Sequence, residues 1–182
     1  MADTAWELGI PDGQLLLTTG VAGPAAKMGH RLTIAMDWTA TVRWLSGRPV
    51  SVELTVDVDS LQVQRGEGGV TGLSGPEKAL ARSNALKCLD AKRFPHIRFR
   101  TDSVEETAGG YRLIGTLEIH GTVREQVIDL HVEDAGGAWR MSCEAEVSQA
   151  DFGVKPYSMM MGAVKVADVV AVSFAAERAK DG

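Results

Sequence analysis

Cysteine is scarce in this sequence: Cys88 and Cys143 are the only two in 182 residues, far apart and outside any C-x-x-C pair. That spacing offers no disulfide framework and fits a reducing compartment. A chain of this length buries on the order of 70% of its unfolded surface and needs no covalent staple. Long apolar runs are missing too, and without a stretch of about 18 apolar residues a membrane-spanning helix is excluded. Met1-Ala2-Asp3-Thr4 carries an acid and leads into no signal-like apolar segment. The expectation is a cytoplasmic protein of one domain, residues 1–182. Positive charge is not in excess either: 19 bases against 24 acids give a formal net charge of −5. Aromatic side chains are not interleaved among the bases, so no nucleic-acid partner is expected.

Catalytic and cofactor motifs are absent as well. Five glycines crowd between Gly66 and Gly75. After Gly66-x-Gly68, however, the third glycine of a dinucleotide fingerprint falls on Thr71, and no strand–helix–strand series follows. This stretch is read as a connector or lid over the mouth of whatever the strands enclose. Gly72-Leu73-Ser74-Gly75-Pro76 has proline where a nucleophile elbow needs glycine, and Asp151-Phe152-Gly153 lacks the companion motifs of a kinase. His30, His96, His120 and His131 fall at no metal-ligand spacing. No catalytic residue, metal site or cofactor is assigned.

What is present is alternation. From Arg31 to Trp44 the even positions read Leu32, Ile34, Met36, Trp38, Ala40, Val42, Trp44, and the odd ones are mostly polar. That period marks a strand with one dry face. Ser46-Gly47-Arg48-Pro49 is turn chemistry, and Val50 to Asp59 alternates again. Similar segments surround Gln14–Thr19, Ile97–Phe99, Tyr111–His120, Ile128–Glu133, Trp139–Ser148 and Val170–Phe174, eight strands in all. One-face alternation points to antiparallel pairing. Eight such strands bury their dry faces by closing into a barrel, with a two-sheet sandwich as the competing architecture. Two helical breaks are expected: a short turn at Pro24–Met28, and a helix capped by Ser74 that runs to Leu89.

The dry registers collect the large apolar residues. Met36, Trp38, Trp44, Phe99, Tyr111, Trp139, Met141 and Phe174 share them, and Tyr157 with Met159-Met160-Met161 adds adaptable side chains before the last strand. An eight-stranded barrel is either filled by such residues or holds one small ligand. The candidate ligand-binding set is therefore Met36, Trp38, Trp44, Phe99, Tyr111, Trp139, Met141, Tyr157, Met160 and Phe174. Seven bases and one acid, Asp90, lie between Lys78 and Arg100. This patch is either a solvated face or a site for anionic lipid headgroups, a peripheral membrane contact at most.

Several segments together resemble the YceI-like domain family, the polyisoprenoid-binding proteins. They are Val58-Asp59-Ser60-Leu61, Leu89 to Phe99 (with Asp90-Ala91-Lys92-Arg93-Phe94-Pro95), Leu113 to Gly121, and Asp151-Phe152-Gly153-Val154. The resemblance spans about residues 14–177. It implies an all-β, lipocalin-like antiparallel barrel with one or two short helices that encloses an isoprenoid or isoprenoid quinone. It also implies binding or transport rather than catalysis. Many members of that family are periplasmic. Alternatives stay open: an enzyme using His30, Asp57 or Asp151 as acid–base on an apolar substrate, or a filled barrel serving as an interaction domain. A homodimer is equally open.

Overall fold

Apolar residues at every second position dictate strands with one dry face. The computed structural model describes residues 4–69 and 72–180, with the side chain of Met160 left aside. Among these residues twelve strands form one sheet: β1 (Thr4–Gly9), β2 (Gly13–Ala22), β3 (His30–Met36), β4 (Trp38–Leu45), β5 (Arg48–Asp57), β6 (Gln62–Gly68), β7 (His96–Thr107), β8 (Gly110–Ile119), β9 (Thr122–Asp134), β10 (Ala138–Ser148), β11 (Ser158–Met159) and β12 (Val164–Ala179). The order is β1-β4-β5-β7-β8-β9-β10-β12-β2-β3-β6, with β11 on β12. Every pairing is antiparallel among the described residues, as one-face alternation requires.

Twelve strands replace the eight expected from alternation, for local reasons. The segment from Arg31 to Trp44 keeps one phase but breaks at Asp37. There the Asp37 N–H donates to Ser60 Oγ at 2.7 Å and its carbonyl accepts from Asp57 N at 3.0 Å instead of continuing a ladder. The two halves pair with different neighbours, β3 with β2 and β6, β4 with β1 and β5. β6 occupies part of the glycine-rich stretch read as a connector. Gly66 stands where an inward side chain belongs, because a Cβ there would meet Leu73 Cδ2 at 2.9 Å. β1 and β11 are short and carry too little alternation to register.

β1 leads into β2, β3 into β4 and β5 into β6 with at most a short 3-10 turn between them. Chain continuity therefore ties the two ends of the sheet path together, and the whole curls into a half-barrel. Two hairpins, Ser46-Gly47 and His120-Gly121, place both turn residues at positive φ, the geometry that matches strand twist. Gly121 is also required by space, since a Cβ would meet the Phe94 ring at 2.7 Å.

The helix, α1 (Gly75–Cys88), starts as its sequence dictates. Glu77 N donates to Ser74 Oγ at 3.3 Å and Ser74 N donates to Glu77 Oε1 at 3.2 Å, a reciprocal cap. Arg82 ties α1 to the turn after β5, donating to Leu61 O at 2.8 Å and Asp59 O at 2.5 Å. The expected turn near Pro24–Met28 is a 3-10 turn at Ala26–Met28. No helix among the described residues is long and apolar enough to cross a membrane.

The densest packing lies where the long strands break. Leu8, Leu15, Met36, Trp38, Val58 and Leu61 bury together, Trp38 to 1% exposure. The Trp38 indole N–H donates to Gly13 O at 3.3 Å and its ring meets Phe174 edge-on at 4.8 Å. Gly13 itself lies tight against β12, where a Cβ would stand 2.1 Å from Ala175 O.

Candidate ligand-binding cavity

The inward registers of the curled sheet do not meet. Side chains from every strand but β6 line a cavity of about 1150 Å³. This exceeds the ~300–1,000 Å³ of ordinary small-molecule sites. Its walls are almost wholly apolar, with Leu17, Leu54, Ile128, Leu130 and Val172 among them. α1 contributes Leu80, Ala81, Asn84, Ala85 and Cys88. β9 and β10 share a short ladder from Asp134↔Trp139 to His131↔Ser142. Beyond it Phe152 and Val154, each 3% exposed, also line the cavity, and Arg124 Nε holds their segment by donating to Asp151 O at 2.9 Å.

Several polar groups on the wall are already engaged. Thr19 Oγ1 accepts from Leu32 N at 3.0 Å, and Gln149 Nε2 donates to Ala167 O at 3.1 Å. Glu77 is held below the usual carboxylate range by its hydrogen bonds with Ser74, with His30 adding a smaller attraction. Burial pushes the thiol of Cys143 up to about 11 and raises those of Cys88 and the Tyr111 phenol. Neither thiol therefore carries much thiolate near neutral pH. No group of three or more His, Cys, Asp or Glu side chains among the described residues has the makings of a metal cage.

Of the residues singled out from the sequence, Met36, Trp44, Phe99, Tyr111, Trp139, Met141, Tyr157 and Phe174 line the cavity. Trp38 does not: it sits behind Phe174 in the packed layer, because the break at Asp37 turns it toward Gly13. The Met160 side chain lies outside the described residues. Of the acid–base candidates, His30 lines the cavity, whereas Asp57 and Asp151 are exposed and lie off it. Sequence reasoning missed Trp6 on β1, which packs on Trp44 with centroids 4.7 Å apart. It also missed the α1 wall, although Ala81, Ala85 and Cys88 fall at the i, i+4, i+7 spacing of one helical face.

A search of curated proteins found no match. Among solved structures the fold resembles BcnA from Burkholderia cenocepacia, 18% identical, with a TM-score of 0.67, covering 91% of this chain and 96% of that one. It also resembles a Campylobacter jejuni YceI protein, 15% identical, with a TM-score of 0.58, covering 80% and 82% respectively. The model of the YceI-like domain matches residues 19–178, nearly the span over which the four sequence segments stay in register, and the chain belongs to the YceI-like domain family.

Proposed function

We propose that this protein binds, and carries or stores, an apolar chain molecule such as a polyisoprenoid or an isoprenoid quinone inside the curled sheet. The observation that carries the reading is the cavity of about 1150 Å³ walled by side chains from eleven of the twelve strands and by one face of α1. Such a volume in water is unfavourable unless a guest covers its walls, and each methylene buried there contributes about 0.8 kcal/mol. A branched chain with only a few polar atoms matches a wall of aliphatic and aromatic side chains. Membership in the YceI-like family and the lipocalin-like curl support binding rather than turnover, as does the dispersal of His30, Asp57 and Asp151.

The test is direct. Protein purified without detergent is extracted with organic solvent and the extract is mass-analysed. A recurrent apolar species in near-stoichiometric amount is the expected result. Protein that yields none and also ignores added prenyl lipids would sink the reading.

A further inference from the structure

Eleven large apolar side chains stand in water among the described residues. Ile10, Leu45, Val50, Val123, Val127 and Val169 lie singly or in pairs on the strands and turns, and the other five border one end of the cavity. Met28, Leu80, Tyr157, Met159 and Met161 stand 49%, 60%, 36%, 47% and 105% exposed. They gather at the end of the half-barrel where the cavity is walled by Leu80, Tyr157 and Met159 themselves. The turns that present the three methionines are tied to one another. Ala25 N donates to Ala163 O at 2.8 Å, which joins the Ala26–Met28 turn to the Met160–Gly162 turn, and Met159 pairs with Val164. The apolar rim is thus continuous with the apolar cavity, and a grouped patch of this kind marks an interaction site where scattered residues would not. Met161 is the extreme case. Its backbone is left-handed, φ 56° and ψ 36°, a conformation that strains an L-residue, and it holds a thioether wholly in solvent.

Charge completes the description. Lys27 adjoins Met28, Lys78 precedes Leu80 on α1, Lys155 precedes Tyr157, and Lys165 pairs with Ser158 beside Met159. None of the ion pairs among the described residues uses these four. The nearby acids are occupied: Glu77 in the helix cap, Glu67 with Arg65, and Asp168 with Ser148 and Ala150 N. Methionine and leucine inside a ring of unpaired lysines is the pattern that inserts shallowly among acyl chains beneath anionic headgroups.

We propose that this rim docks on an anionic lipid bilayer and that the apolar guest passes between leaflet and cavity there; the inference rests on the guest being a membrane-resident chain, as proposed above. The test is flotation with vesicles of phosphatidylcholine alone and of phosphatidylcholine mixed with phosphatidylglycerol. The wild type and a Met28→Ser/Met161→Ser variant are compared, since neither of those side chains lines the cavity. The wild type floats with the mixed vesicles, less so at high salt, and the variant binds them about tenfold more weakly. The variant keeps its fold by circular dichroism and still takes up a prenyl quinone presented in detergent, but draws it from vesicles more slowly. Wild-type protein that floats with neither vesicle, or a variant that floats as well as the wild type, overturns the proposal. Flotation without quinone uptake from detergent would instead refute the guest and leave the docking surface standing.

Discussion

Trp38 and Trp139 occupy the same alternating phase, yet one is structural and the other faces the cavity. Trp38 is 1% exposed, packed on Phe174 and hydrogen-bonded to Gly13 O, so Trp38→Ala opens a void inside solid packing and costs about 3–5 kcal/mol. Trp139 lines the cavity with Lys180 Nζ 4.4 Å above its ring, and Trp139→Ala enlarges a space already present at considerably smaller cost. Urea unfolding of the two variants measures the contrast. Cys143 offers a second reading at this scale. With its thiol pushed up to about 11 by burial, it alkylates slowly at pH 8 with a small uncharged reagent. The rate climbs as pH rises toward that value and falls when a guest occupies the cavity. Mass analysis of timed aliquots follows it.

At the scale of elements, α1 and the irregular part of β12 are each pinned by a polar side chain. No residue of α1 is fully buried; Ala81, Ala85 and Leu86 pack against the core from one face, and Arg82 adds a polar tie to Leu61 O and Asp59 O. Arg82→Ala therefore speeds amide exchange throughout Gly75–Cys88 while the sheet amides change little. Hydrogen-exchange mass spectrometry distinguishes this local loosening from a global loss. β12 shifts register against β2 between Val166 and Val170, and Asp168 pins the irregularity by accepting from Ser148 Oγ and from Ala150 N at 2.7 Å. Those bonds lower its carboxyl below the ordinary 3.8. The folded state thus binds that proton less tightly than the unfolded one. Its contribution to stability is full above 3.8 and is lost as pH falls below that value through the lower folded one. In Asp168→Asn this part of the acid limb flattens, as stability measured against pH shows.

The elements also show where the sequence is readable. Regular alternation placed every long strand, because one buried face forces period two. It said nothing of Asp37, since the phase runs unbroken through the point where Ser60 and Asp57 divert its backbone bonds. β6 hid behind Gly66, whose missing side chain makes room for Leu73, and Gly68, which takes a positive φ of 85°. The lining followed from the same dry registers, except for Trp38 and for the α1 wall. The latter is small-residue, and its apolar character is too weak to separate a wall from a solvated face.

For the molecule as a whole, the proposed function requires that the hollow of the curled sheet take up a chain-like guest. Ala145 on β10 lies on the cavity wall opposite Val172 in the β10–β12 ladder, so Ala145→Trp directs an indole into open space without disturbing the packed layer around Trp38. The deciding measurement is native mass spectrometry of wild-type protein and Ala145→Trp, each incubated with a prenyl quinone. The account predicts a one-to-one adduct on the wild type and a loss of most of it on the folded variant. Equal adducts on both proteins, or none on the wild type, would contradict it.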